Sequence, residues 1–360
     1  MASIWNNRLA VSIFGEAKGP AIGITIDNLP AGEYLDTDQL HQFLTRYCNT
    51  ADTDHHSDFH QIMSGILNGR TTGSPLCAFI QNTEQPTDTV SQINRLPRPG
   101  HADYTGTLRY RGFNDIRDGG HLSTAMTAPL CFAGAVCAQI LERRGIYTGA
   151  HIQEIHGIQD QNFSHTSVTK EEILAVRYKK FPVIENAAGK KMQKDIQAAS
   201  EGGETLGGAI ECVAVNVPAG IGSPIFNGLE NTIAQLLFAL PDIRGLEFGA
   251  GFQVTEMTGS QSNDNFYIDD HGHVKTYSNT HGGILGGISS GMPIVLRAAF
   301  KPSAKIAKSQ ETVNLSSMQT ELLQADHHAE TCLLPKLVPC VESAVNIALL
   351  SHMLDYPHFC

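Results

Sequence analysis

Several things are scarce in this 360-residue chain, and each scarcity removes a class of protein. Charged residues make up only 17% against 41% apolar, which excludes a disordered polyampholyte. No run of about 18 apolar residues occurs, so no membrane span is expected. The opening stretch MASIWNNRLAVSIFGEAKG has no apolar signal-peptide core, and export is not expected. CxxC pairs are missing. The eight cysteines (48, 77, 131, 137, 212, 332, 340 and 360) are scattered. Cys131, Cys137 and Cys212 fall in apolar runs, where a thiol acts as a small hydrophobe. A disulfide framework is therefore excluded, and the setting reads as reduced and cytoplasmic. Positive charge is also short, with 25 Lys and Arg against 36 Asp and Glu, for a net charge of −11. A nucleic-acid partner needs a basic face to replace counterions, so none is expected. Lys179, Lys180, Lys190, Lys191 and Lys194 read as a solvated helix face. There is no Pro/Ser-rich linker and no fixed-period repeat, so residues 1–360 read as a single domain.

Glycine is what the chain has in quantity, 34 residues, dense at 100–120, 202–228, 245–259 and 282–291. Such clusters mark places where the backbone needs positive φ or must approach another group closely. Between them, short runs rich in Val, Ile and Phe predict strands at 9–14, 21–26, 76–81, 209–217, 254–257 and 293–300. Helical spacing predicts helices at 37–47, 60–67, 124–144, 170–180, 190–201, 227–240 and 338–354. The helix at 124–144 carries Ala125, Ala128, Ala133, Gly134 and Ala135 on several faces, as a helix sandwiched between layers does. Strands and helices do not alternate strictly, which favours α+β over a doubly wound sheet.

Three segments can carry chemistry. In Arg98-Pro-Gly-His101-Ala-Asp103-Tyr104, a loop histidine with a nearby carboxylate can serve as acid or base; a turn histidine satisfied by backbone has the same pattern. In Asn279–Gly291, two Gly-Gly pairs flank Ile284-Leu285. Their amides can face a phosphate or lie against an aromatic ring, or the loop is a tight structural turn. It fits neither a P-loop nor a dinucleotide fingerprint. In Lys301-Pro-Ser303-Ala-Lys305, two lysines and a serine follow a strand and can hold a phosphate, unless the loop is merely exposed. The histidines at 55, 56, 60, 327 and 328 bring no third ligand into pattern, so no metal is expected.

In order, the segments FGEAKGPAIGITIDNLPAG (14–32), IMSGILNGRTTGSPLCAFIQNTEQ (62–85), RPGHADYTGTLRYRGFNDIRDGGHLS (98–123), NVPAGIGSPIFNGLE (216–230), GLEFGAGF (245–252), GSQSND (259–264), SNTHGGILGGISSG (278–291) and KPSAKI (301–306) resemble those of the chorismate synthase family. The resemblance covers nearly the whole chain. It implies a β-α-β sandwich, with helices between two antiparallel four-stranded sheets, assembled as a homotetramer. It also implies anti-1,4-elimination of phosphate from 5-enolpyruvylshikimate 3-phosphate, an anionic small molecule, with reduced FMN and no net redox change. By the same resemblance His101 is the acid towards phosphate, with Asp103 beside it. Lys18 occupies the place of the flavin-protonating histidine. Cofactor contacts fall to His121, Ser123, Ser260, Gln261, Gly286, Gly287, Lys301, Ser303, Lys305 and His328, and substrate contacts to Arg46 and Cys48.

The departures are concentrated in charged positions. GESHG reads Gly15-Glu-Ala-Lys18-Gly19. The arginine-rich segment reads Thr45-Arg46-Tyr47-Cys48-Asn49, and an arginine two residues after Ser123 is Ala125. NTDQRS reads Asn82-Thr-Glu-Gln-Pro-Thr87, and GRHDPC reads His327-His328-Ala329-Glu330-Thr331-Cys332. Retained positions specify backbone, whereas lost ones specify ligand charge. Three readings are open here: a working lyase of this type, a flavoprotein for a less anionic substrate, and a non-catalytic binding or regulatory paralogue.

Overall fold

Short runs rich in β-branched residues build two antiparallel sheets, with the central strands of the second buried on both faces, and helices of small and apolar residues fill the space between the sheets. A computed structural model of the chain describes residues 3–47, 61–82, 96–326 and 329–356. The first sheet contains β1 (Ile4–Asn6), β2 (Ala10–Gly15), β3 (Ala21–Asp27), β4 (Gln61–Ser64) and β5 (Leu76–Gln81), in the order β1-β2-β3-β5-β4. The second contains β6 (Tyr147–Ile155), β7 (Ile158–Gln159), β8 (Gly208–Val215), β9 (Ile243–Phe248) and β10 (Ile294–Phe300), in the order β9-β10-β8-β6-β7. Every pairing is antiparallel. The resemblance implied four strands per sheet; five are present in each, because short edge strands such as the two-residue β7 extend the ladder.

The helices are α1 (Thr37–Tyr47), α2 (Asp103–Arg109), α3 (Thr127–Glu142), α4 (Lys170–Arg177), α5 (Asn186–Glu201), α6 (Leu229–Leu237) and α7 (Leu334–Met353). Of these, α3 and α7 are apolar almost all round and pack on each other. α3 also meets β2, β3 and β5 of the first sheet, and α7 meets β6 and β8 of the second. Both reach the length and hydropathy of a membrane span, yet 89% of each apolar window is buried inside the protein. They are the middle layer of the sandwich. Their approach is close enough that a Cβ on Gly134 would lie 2.1 Å from the side chain of Ser343.

Two predicted elements change type. The helix expected at 60–67 is strand over its described part: Ile62 pairs with Ala78 of β5, and Gly65 at φ +86 breaks the segment before Ile66–Leu67. Sheet pairing outweighed a weak helical spacing. The strand expected at 254–257 belongs instead to a 3-10 turn, Gly251–Glu256, which follows positive-φ glycines at 249 and 251.

A second, smaller core covers the outer face of β8. Val213 and Val215 pack with Phe163, Val168, Ile173 and Val176. Glu211 shares their parity along the strand and would be buried there unpaired. It is matched instead by His151 Nε2 at 2.9 Å and His165 Nε2 at 3.0 Å, and His151 Nδ1 continues to Asp160 at 3.1 Å.

Candidate functional site

His101 lies just ahead of α2, after Gly100 has turned the chain at φ +73. Arg98 folds back on Asp103 with two prongs, Nε to Oδ2 at 2.6 Å and Nη2 to Oδ1 at 2.7 Å. His101 Nδ1 meets the same Oδ1 at 2.7 Å. Burial of Asp103 opposes its ionisation, but hydrogen bonds from Arg98 and His101 prevail and hold its carboxyl well below the usual range. An ionised Asp103 takes the Nδ1 proton as an acceptor, so Nε2 is the nitrogen left for chemistry.

That nitrogen faces backbone. Asp118, Gly119 and Gly120 have φ of 50°, 87° and 56°, and a Cβ on Gly119 would stand 3.3 Å from His101 Nε2. The strained loop is pinned from two sides. Lys305 pairs with Asp118, and the Ala17 N–H donates to Gly120 O at 3.2 Å. The half-buried Lys18 therefore sits on a turn docked against the His101 loop. His121 completes the arrangement: its Nδ1 donates to Gly15 O at 2.7 Å, leaving Nε2 to accept from Ser3 Oγ at 2.5 Å.

His101, His121 and Ser123 open onto one cavity of about 920 Å³. Its apolar wall includes Ile13, Met126, Leu130, Leu236 and Leu240, with Trp5 at one end. Ser123, Thr124 and Thr127 supply hydroxyls at the start of α3. There Ala125 offers only its N–H, 3.3 Å from Ser123 Oγ, and the Tyr47 hydroxyl accepts from Thr127 at 3.1 Å. Lys301 lines the same cavity, but its ammonium is paired with Asp242 at 2.7 Å. Ser303 is half-buried, its carbonyl accepting from Thr205 at 2.8 Å and its hydroxyl oxygen from the Lys305 N–H at 3.3 Å. Asp242 and Arg244 also line the cavity. Sequence reasoning missed both; the available signal was the Pro241-Asp242 turn just before a predicted glycine cluster.

Not every expected contact gathers here. Arg46 lies elsewhere. Its guanidinium is spent on the buried Glu342, at 2.6 and 2.7 Å, and it lines a separate cavity of about 280 Å³ between α1, α3 and α4. Ser260 and Gln261 sit in a short exposed helical turn, where Gln261 accepts from the Thr258 N–H at 2.8 Å. Gly286 and Gly287 form the two-residue turn between the short strands Ile284–Leu285 and Ile288–Ser289, with Gly287 O accepting from Leu229 N at 3.0 Å. None of these four lines the His101 cavity. Cys48 and His328 lie outside the described residues, as do His55, His56, His60 and His327. Among the described residues no group of three or more His, Cys, Asp or Glu side chains is placed to hold a metal ion.

Comparisons with known proteins point one way. The chorismate synthase family model matches residues 9–354. The chain is 38% identical over 349 residues to a chorismate synthase of Thermococcus kodakarensis, covering 96% of each. It is 36% identical over 356 residues to that of Korarchaeum cryptofilum, covering 98% of this chain and 97% of the relative. A crystal structure of chorismate synthase superposes with a TM-score of 0.77 at 26% identity, covering 97% of this chain and 93% of that one.

Proposed function

The chain belongs to the chorismate synthase family, and from that premise we propose that it is a carbon–oxygen lyase. The reaction is anti-1,4-elimination of phosphate from 5-enolpyruvylshikimate 3-phosphate, giving chorismate, with reduced FMN. One domain over 1–360, a homotetramer and a cytoplasmic setting belong to the same reading.

The observation that carries it is the Arg98–Asp103–His101 unit at the rim of the large cavity. Departing phosphate needs a proton, and an imidazolium is well matched to donate one near neutral pH. Asp103, ionised and buried, orients the ring by accepting its Nδ1 proton and so leaves Nε2 for the transfer. Glycine at 119 avoids the crowding of Nε2 that a Cβ there, 3.3 Å away, would bring. The lining residues also fit a flavin. Apolar walls from Ile13, Met126 and Leu236 suit a flat ring, and His121 and Ser123 give it polar partners. When bound, reduced FMN would supply the electron density that eases loss of phosphate without net oxidation. Lys18, on the turn docked to the His101 loop, contributes a point charge where the family pattern has an imidazole. As a chemical class, alkylammonium ions are weaker proton donors than imidazolium ions.

A second reading is favoured by one observation: three of the cations near His101 are closely matched by carboxylates. Lys301 with Asp242, Lys305 with Asp118 and Arg98 with Asp103 leave little positive field for a ligand with several anionic groups. A flavoprotein acting on a less anionic substrate, or a binding paralogue without catalysis, would tolerate that balance.

Anaerobic assay of phosphate release with saturating reduced FMN separates the three. Turnover above background establishes the lyase. Stoichiometric flavin binding without turnover moves the reading to an altered substrate, and absence of flavin binding leaves the non-catalytic paralogue. A triple substitution, Lys18→His with Cys48→Arg and Ala125→Arg, is expected to raise phosphate release if the family reaction is the native one.

A further inference from the structure

Three of the cations around His101 are already committed. Arg98 is held by Asp103 at 2.6 Å, Lys301 by Asp242 at 2.7 Å, and Lys305 by Asp118. Arg244 differs. It lines the same cavity, yet among the described residues its guanidinium meets no carboxylate. Its Nη1 donates to the Ile243 carbonyl at 3.2 Å.

The turn beneath Arg244 is held in place by its neighbours. Asp242 sits at φ +66, a left-handed conformation that a non-glycine residue keeps only when its surroundings impose it. Two anchors to Lys301 impose it here: the Lys301 N–H donates to Asp242 O at 2.9 Å, and the Lys301 ammonium pairs with the Asp242 carboxylate at 2.7 Å. With Ile243 buried at 3% exposure, the next side chain turns out to the cavity mouth, where Arg244 is exposed.

We propose that Arg244 is the anion-recognition residue of this cavity, and that it takes the phosphate monoester of a ligand whose apolar body lies along Leu236, Phe238 and Leu240. This rests on the cavity being the ligand site of the proposed function. Lys301 could serve the phosphate only by leaving Asp242, which would then confront the anion with a bare carboxylate. Arg244 carries no such penalty. Its planar fork can meet two phosphate oxygens at once, which a lysine point charge cannot. Asp242 thus acts as a positioning residue: it occupies Lys301 and aims Arg244. The phosphate monoester can belong to the flavin or to the substrate, and the test separates these sources.

Full-length wild type, Arg244→Gln and Arg244→Lys are compared for binding of FMN, riboflavin and inorganic pyrophosphate by calorimetry, and for KM and kcat of phosphate release. If the flavin phosphate is the partner, R244Q weakens FMN about tenfold or more and leaves riboflavin unchanged. If the substrate phosphate is the partner, R244Q leaves FMN unchanged and raises KM about tenfold with kcat held. In either case R244K recovers part of the loss, because charge returns without the fork. Equal behaviour of wild type and R244Q towards every phosphate-bearing ligand overturns the proposal. Should wild type bind no flavin and turn nothing over, the proposed function fails by itself, and pyrophosphate then decides Arg244. Weakening of about tenfold in R244Q sustains the residue's role; equal affinity, or no binding by wild type, overturns it.

Discussion

Arg98 and His101 share a single carboxylate oxygen: Arg98 Nη2 and His101 Nδ1 both lie 2.7 Å from Oδ1 of Asp103. Asp103 therefore neutralises a half-buried arginine and fixes an imidazole at the same time. Asp103→Ala leaves that guanidinium without its acid and is expected to destabilise the fold by about 3–5 kcal/mol, read as a lower urea midpoint. His101→Gln keeps the Arg98–Asp103 pair, so its midpoint stays near wild type while phosphate release falls about a hundredfold or more. Equal losses of stability in the two variants would contradict this division of roles.

Arg46 and Glu342 form a pair of a different kind. Glu342 has no exposed side-chain surface and also accepts the Ala150 N–H at 2.9 Å. Glu342→Gln should cost about 3–5 kcal/mol of stability. Because Arg46 lines another cavity, flavin affinity of the folded variant should not move, as fluorescence quenching would record. A large change in affinity would return Arg46 to the ligand site.

The contact of α3 with α7 depends on a missing side chain. A methyl at Gly134 would overlap Ser343 Cβ and Oγ at 2.1 Å. Gly134→Ala gains helix propensity of up to about 1 kcal/mol, but overpacking of a rigid core costs about 1–3 kcal/mol or more. The net expectation is a lower thermal midpoint. Ser343→Ala in the same chain should recover only part of it, since Cβ remains. A rise in midpoint for Gly134→Ala would show that the helices separate freely.

The buried run Asp160–His151–Glu211–His165 makes stability depend on pH. Burial of His151 disfavours its charged form, but the hydrogen bonds it donates to Asp160 and Glu211 prevail and lift its pKa above the ordinary 6.5. Its contribution is fully present below 6.5 and is lost as pH rises through the lifted folded value. Burial likewise opposes ionisation of Glu211 and Asp160, yet His151 lowers both below 4.5 and 3.8. Their contributions are present above those values and are lost as pH falls through the folded ones. Urea midpoints should therefore be highest at about pH 4.5–6.5 for this cluster's share. His151→Gln should flatten the decline on the alkaline side; an unchanged profile would place the pH dependence elsewhere.

Much of the architecture could be read from local pattern. The sandwiched character of α3 was legible because Ala128, Ala133, Gly134 and Ala135 leave no polar face. The strands at 9–14, 21–26 and 76–81 were legible from β-branched runs. The segment at 60–67 was not, because a short stretch such as Ile62-Met63 suits either period, and only pairing with β5 decided it. Of the candidate site, His101 and Asp103 were legible as neighbours two residues apart, and the structure brings them to 2.7 Å. Arg244 was not, since a lone arginine at the second position of a strand carries no sign of a ligand, and only the Pro241-Asp242 turn ahead of it marked the place.

By itself the sequence determined where the backbone turns and which faces are apolar, because glycine freedom and side-chain periodicity act over a few residues. It also determined how many cations the chain has to offer. Only the tertiary structure decided which acid each cation meets. Lys305 finds Asp118 across 187 positions, and Arg46 finds Glu342 across 296. Coulomb attraction depends on distance in space, and folding sets that distance with no regard to separation along the chain.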